Sequence, residues 1–484
     1  PFPSQIPVRA LLMSRSGNSD SATCTRRTAA AAIGGAALAI SGGRLAGTFA
    51  SVPGTVDTRP LAHFAAKAKH LICLHMIGAP SQLDLFDDKP ELVRRHGQPC
   101  PESVTRNRDF AFIGKTSVLA GSPWKFRRHG ESGQVLSELL PELATVADEL
   151  AVIRSVHTNE INHAPAQMFL HSGFGRSGRP TLGAWLSWGL GSDNPNLPAW
   201  VVLLSGPPGG AGTSLWSAGF LPGIHQGTQF RAEGDPVLFL SNPPGYQPED
   251  RQRQLEALLS LNSIRAQQTL DPAAAVRSSQ YDLALRLQSS VPELLALNEE
   301  SQDTLRQYGA TAGQPSFAAN CLLARRMVER GVRTIELFDA DWDHHSSLQT
   351  ALPRKCREVD RPIAALIRDL RQRGLLQDTL LVWMSEFGRT PLQQGGTAAT
   401  AGRDHHKDAF TMWLAGAGVR PGMSLGATDD FGMDIAERPV HVHDVQATVL
   451  QLLGLNHEHL TYRYQGRDFR LTDVHGQVLQ EILL

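Results

Sequence analysis

Short, mostly apolar runs recur along the chain, each ending in a polar or Gly/Pro-rich stretch. His70–Ile77 runs into Gly78-Ala79-Pro80, the pattern of a buried strand entering a loop. Ala151–Val156, Trp200–Leu204, Val237–Leu240, Val332–Phe338, Thr379–Met384 and Ala409–Ala415 read as further strands. Between them, helical spacing predicts helices over Leu136–Leu150, Ser316–Arg330, Pro362–Arg373 and Val445–Leu455. The stretch from Pro248 to about Tyr308 is rich in Leu, Ala, Gln, Glu and Arg with few breakers, and predicts a helical insertion over about residues 246–313. Alternating strands and helices predict an α/β fold. Strands apolar on both faces require helices on both sides of a mostly parallel sheet.

Composition narrows the class. Of 484 residues, 41% are hydrophobic and 19% charged, and 46 Lys+Arg against 47 Asp+Glu leave a net charge of −1. That balance excludes a nucleic-acid-coating protein and a disordered one. The five cysteines lack C-x-x-C spacing and cannot build a disulfide scaffold. No glycine-rich phosphate loop of either dinucleotide or P-loop type occurs. Residues 1–50 read as an export segment with a disordered N-terminus. Thr25-Arg26-Arg27-Thr28 precedes the uncharged, small-residue run Ala29–Ile40, similar to a twin-arginine signal. This run is too short to cross a bilayer of roughly 30 Å, so no stable membrane span is expected and the product is exported, to the periplasm or another extracytoplasmic space. The folded domain is expected over residues 65–484.

In a mostly parallel sheet the ligand site lies beyond the carboxyl ends of the strands. Polar clusters fall at those ends: Ser81–Asp88 with Asp84, Asp87 and Asp88; His157–His163 with Thr158; Asp339–His345; and Ser385–Thr390 with Glu386 and Arg389. A fifth, Gly402–His406, precedes its strand. Carboxylates and imidazoles from several loops are the ingredients of a divalent-metal site. Each also has a plainer reading. Asp84, Asp87 and Asp88 suit a cap for the helix that Pro90 begins, and Arg389 and Arg403 suit surface ion pairs. His405 and His406 on an extended segment point to opposite faces, so one of them at most should coordinate. Asn162, Pro165 and Gly173 mark the start and end of a short helix whose N-terminus could seat an anion.

Together G-A-P-S-Q-L-D-L-F-D-D-K-P, N-H-A-P-A-Q, W-D-H-H, S-E-F-G-R-T-P, G-R-D-H-H and H-V-H-D resemble the DUF1501 family of exported bacterial proteins, related to the alkaline phosphatase and sulfatase superfamily. The resemblance runs in order from about residue 65 to the closing Tyr464-Gln465-Gly466-Arg467-Asp468. It implies a three-layer α/β/α sandwich with one or two divalent ions (zinc, calcium, magnesium or manganese) and a phosphate or sulfate ester substrate, on a small molecule or a glycan. On that resemblance Asp84, Asp343, His345, Glu386 and His405 or His406 are the expected metal ligands. The slot that holds the nucleophile in sulfatases falls on His163, and Gln167 replaces the arginine. No Ser, Thr or Cys occupies it, although Thr158 lies nearby in sequence. His163 and Arg389 are therefore expected to contact the anion or move protons. The competing expectation is a metal- or anion-binding cell-envelope protein on the same fold, without turnover.

Overall fold

The computed structural model describes residues 62–484 except 106–107, 109, 115–116, 232–234, 238–244, 270–271 and 398. The expected export segment over residues 1–50 and the expected strand over Val237–Leu240, save Val237 itself, lie outside the described residues.

In chain order the strands that matter are β1 (His70–Met76), β2 (Leu150–His157), β3 (Trp200–Ser205), β4 (Thr228–Phe230), β5 (Thr334–Asp339), β6 (Thr379–Met384), β7 (Gly388–Gln394), β8 (Gly402–His406), β9 (Phe410–Gly416), β10 (Ser424–Leu425) and β11 (Val440–His441). The helices are α1 (His163–Ser172), α2 (Leu182–Leu190), α3 (Pro248–Thr269), α4 (Pro272–Leu295), α5 (Gln302–Tyr308), α6 (Phe317–Glu329), α7 (Leu348–Gln372) and α8 (Val442–Leu452). Nine strands form one sheet in the order β10-β2-β9-β6-β1-β5-β3-β4, with β11 also pairing β2. Within it only β9 runs against the rest. The sheet is thus mostly parallel, and the chain is an α/β protein.

Strand period sorts the sheet's side chains into two apolar layers. Ile72, Leu74, Met76, Ile335 and Leu337 pack with α6 and α7 on one face. Leu71, Cys73, Val202, Phe338 and Val382 pack with α2 and α8 on the other. Each fully buried Leu or Val contributes about 2 kcal/mol by leaving water. The two layers are what keep the central strand ends fixed. Helices α3, α4 and α5 occupy the stretch between β4 and α6.

One local expectation is corrected. Leu136–Leu150 is not a helix: Gln134–Ser137 is a strand paired with Phe126–His129, and a 3₁₀ segment covers Leu143–Glu149. Pro141 lacks the N–H that a helix interior needs, and the pairing partner just upstream decides the rest. Cys73, Cys100, Cys321 and Cys356 are all free thiols. Among the described residues no helix is long and apolar enough to cross a membrane.

Candidate metal centre

The loop after β5 carries two of the expected ligands and is held from three directions. Trp342 is buried and donates its indole N–H to Asp339 Oδ2 at 2.8 Å. On one side Gly78 (φ 107°) lies so close that a Cβ there would stand 2.5 Å from the Asp343 nitrogen. On the other, a Cβ at Gly402 would stand 2.2 Å from the His344 carbonyl. Only glycine permits both approaches, which bring β8 and the β1 loop against the same short turn.

That turn, α1 and β8 converge. His163, Asp343, His345 and His405 each present one ligand atom, and these atoms all lie within 4.8 Å of one another. Asp343 Oδ1 is 2.9 Å from His345 Nε2, 3.2 Å from His163 Nε2 and 3.7 Å from His405 Nε2. Every imidazole in the group is anchored through its other nitrogen. His163 Nδ1 meets Glu386 Oε1 at 2.7 Å, His345 Nδ1 meets Gln394 Oε1 at 2.6 Å, and His405 Nδ1 meets the Ile161 carbonyl at 2.8 Å. All three partners are acceptors, so each Nδ1 carries the proton and each Nε2 offers a lone pair inward. Histidine ligands of metals are oriented by outer acceptors of this kind. His163 Nε2 is buried yet makes no hydrogen bond, its 3.2 Å approach to Asp343 being poorly aligned. A buried orphan nitrogen facing three other donors fits a cation. The set of imidazoles and one carboxylate suits a borderline ion such as zinc.

Electrostatics point the same way. Burial alone would depress His163, but the neighbouring Asp343 and Glu386 carboxylates raise its pKa to about 9. Asp343 and Glu386 are both held well below the usual carboxylate range; burial opposes this, and the neighbouring imidazoles outweigh it. Burial lowers His405. A positive charge is therefore favoured at this point of the structure, and a proton on His163 supplies it when nothing else does.

The other expected site residues are placed elsewhere. Glu386, fully buried, stands behind His163, and its Oε1 also accepts from the Gly78 N–H at 2.9 Å and Gln167 Nε2 at 3.1 Å. It therefore stands outside the four-residue group and holds the His163 ring. Asp84 lies outside the four-residue group: it is buried in a two-point ion pair with Arg403 (2.8 and 3.1 Å) and accepts the Ser81 hydroxyl at 2.6 Å. His406 points away from His405, as strand alternation requires, toward the Met433 carbonyl at 2.9 Å. Arg389 has no free fork for an anion. It donates to the Ala79 carbonyl at 2.8 Å, the Arg403 carbonyl at 3.1 Å, the Gly78 carbonyl and Asp343 Oδ1. It therefore clamps the ligand loop. The Thr158 hydroxyl is buried without a hydrogen bond, and its backbone N–H pairs with the Lys407 carbonyl.

Phe112, Gln394 and the Ile161 carbonyl were not anticipated. Phe112 is 63% exposed and packs edge-on to His345 and His405, with ring centroids 5.0 and 5.2 Å away. It forms an apolar wall at the mouth. Phe387 is wholly buried between His163 and His405, 4.8 and 4.6 Å from their centroids.

A mostly parallel α/β sheet with an imidazole–carboxylate centre at its strand ends defines an α/β protein with a candidate metal site. The family described as "Protein of unknown function (DUF1501)" matches residues 68–483, and the chain belongs to it. A search of curated proteins gave no match. Among solved structures the chain is similar to the lipoteichoic acid synthase LtaP from Listeria monocytogenes, at 9% identity and TM-score 0.36, over 84% of this chain and 76% of that one. It is also similar to the alkaline phosphatase of the Antarctic bacterium TAB5 (10% identity, TM-score 0.33, 81% and 99% covered). A third is the phosphonate monoester hydrolase SpPMH from Silicibacter pomeroyi (12%, TM-score 0.31, 71% of each chain).

Proposed function

We propose that the chain is a metal-dependent hydrolase of phosphate or sulfate esters, carried on a small molecule or a glycan, that works without a Ser, Thr or Cys nucleophile. The observation that carries this reading is the convergence of the His163, His345 and His405 Nε2 atoms on Asp343, with one of them orphaned. A divalent ion held there would supply Lewis acidity toward an ester oxygen and acidify water at neutral pH. The chain's own groups do the positioning. Glu386, Gln394 and the Ile161 carbonyl fix the ring orientations, and Arg389 fixes the Asp343 loop. The group reaches solvent, since the Asp343 side chain is 43% exposed and that of His345 27%. The Phe112 wall offers an apolar contact for the alcohol part of the ester.

One observation favours the alternative of metal binding without turnover. His163, Asp343, His345 and His405 would supply four protein donors to a bound ion, and catalytic zinc sites commonly keep one position for water or substrate. A single experiment separates the two. Zinc-loaded protein is assayed with aryl phosphate, aryl phosphodiester and aryl sulfate, beside His345→Ala. Turnover by wild type that is lost in His345→Ala is expected. Equal background rates in both proteins reject the hydrolase and leave the binding protein. We also propose export through the Arg26-Arg27 segment; replacement of both arginines by lysine should retain the protein in the cytoplasm.

A further inference from the structure

The G-R-D-H-H segment holds a carboxylate that lies outside the four-residue group and pairs with no cation among the described residues. Asp404, between Arg403 and His405, is fully buried. Arg403 stands opposite Gln393 and His405 opposite Arg389, so the pairing of β8 with β7 shifts at Asp404. Irregularities of this kind re-aim side chains beside functional sites. Asp404 Oδ1 accepts the His405 N–H at 2.8 Å. Its Oδ2 accepts the N–H groups of Phe112 at 2.9 Å and of Ile113 at 3.2 Å. A backbone N–H can only donate, so all three bonds have a fixed direction. A buried carboxyl is tolerated when its oxygens are satisfied, and here a segment 292 positions earlier satisfies one of them.

That segment divides its side chains between two surroundings. Phe110 and Ile113 pack on the apolar cluster of Leu83, Leu92, Leu119, Leu392 and Met433. Phe112, between them, stays 63% exposed and stands nearly perpendicular to the His345 and His405 rings, at 85° and 83°. So little burial does not hold a loop side chain in one place against the entropy it would regain. The two successive N–H groups bound to one Asp404 oxygen hold the backbone on which that side chain stands. One carboxylate thus binds the backbone of a candidate ligand through Oδ1 and that of its aromatic neighbour through Oδ2.

We propose that Asp404 latches Phe112 beside the metal centre, and that Phe112 selects esters whose alcohol carries a flat aromatic ring. The proposal rests on the reading of the four-residue group as a metal centre acting on phosphate or sulfate esters. With the acid group of the ester at the imidazoles, its alcohol comes within reach of the Phe112 ring, whose centroid is 5.0 and 5.2 Å from those of His345 and His405. An aromatic alcohol gains a ring pair there, and a methyl group does not. Phe112 touches the substrate. Asp404 acts through Phe112 and is a positioning residue.

The test measures calorimetric binding of phenylphosphonate and methylphosphonate, which cannot turn over, to the zinc-loaded full chain. Wild type should prefer the phenyl compound. Phe112→Ala should cut that preference about 2- to 12-fold, the worth of one aromatic pair, and Phe112→Tyr should keep it. Asp404→Ala should cut it by a similar factor, and no further when added to Phe112→Ala, because both act through one ring. The ratio of the two probes divides out any common loss of zinc. No phenyl preference in wild type, or an unchanged one in either alanine variant, overturns the proposal. So does an additive loss in the double variant. Should Asp404→Ala not fold, hydrogen exchange in wild type decides the latch: Phe112 and Ile113 amides exchanging as fast as free peptide overturn it. Wild type that shows the phenyl preference but hydrolyses no ester would remove the hydrolase and leave the selectivity of the site. Binding of neither phosphonate removes both.

Discussion

His345 and His405 point their Nε2 atoms at each other across 3.0 Å, and neither ring keeps a proton there to share. The proton of each ring is spent on Gln394 Oε1 and the Ile161 carbonyl. Two facing lone pairs at that separation repel, and a cation between them removes the repulsion. Protein purified without chelator should therefore carry about one divalent ion per chain, by elemental analysis. His405→Ala should weaken zinc binding by more than about 100-fold, because loss of an outer partner alone costs 10–100-fold. Wild type free of stoichiometric metal would sink the assignment.

Arg389 tests whether the Asp343 loop needs its clamp. The guanidinium reaches three backbone carbonyls and a carboxylate at once, which lysine cannot do with a single ammonium. Arg389→Lys should cost about 2–3 kcal/mol of stability by leaving buried carbonyls unpaired. Zinc affinity should fall about 10-fold as Asp343 loosens. Urea unfolding and a chelator competition measure the two separately. An unchanged affinity in folded protein would show that Asp343 holds its place without Arg389.

The Asp84–Arg403 pair makes the opposite prediction. Both side chains are essentially unexposed, at 0% and 1%. Asp84→Asn strands a buried guanidinium, which should cost about 3–5 kcal/mol. The metal content of the folded fraction should not change. Loss of the metal with retained stability would instead return Asp84 to the ligand set.

Much of this architecture was visible in the sequence. Thr379–Met384 reads as a strand because six residues in a row suit burial on both faces, and it is one. The polar clusters sit past strand ends because a parallel sheet leaves its carboxyl edge for loops. What the sequence could not supply is reach. Asp84 meets Arg403 across 319 positions of chain, and nothing local in either segment announces it. Glu386 and His163 are both polar residues at a strand or helix end, yet one holds the other. A single residue of offset decides which is in front. His75 did carry a signal, a histidine inside an otherwise apolar buried run, but its partners lie on α1 and just after β6. Phe112 carried none.

Acid stability provides a test independent of any metal. Burial lowers His225 to about 4 and His344 to about 4, the latter helped by Arg389; burial together with His443, His157 and His475 lowers His441 to about 3. Unfolded, each returns to 6.5. A group whose folded value is depressed in this way binds its proton more readily in the unfolded chain. The stability it lends is present above 6.5 and is lost as the pH falls toward 4. Each such histidine contributes a slope of up to about 1.4 kcal/mol per pH unit in that window. His225 is the cleanest to remove, since it lies far in sequence from the four-residue group and its Nε2 makes no hydrogen bond. Urea unfolding of the full chain between pH 6.5 and 5 should show stability falling with acidification. His225→Gln, which cannot take up a proton, should make that fall shallower by about 1 kcal/mol per unit. The same slope in both proteins would mean that His225 is not held neutral by the fold.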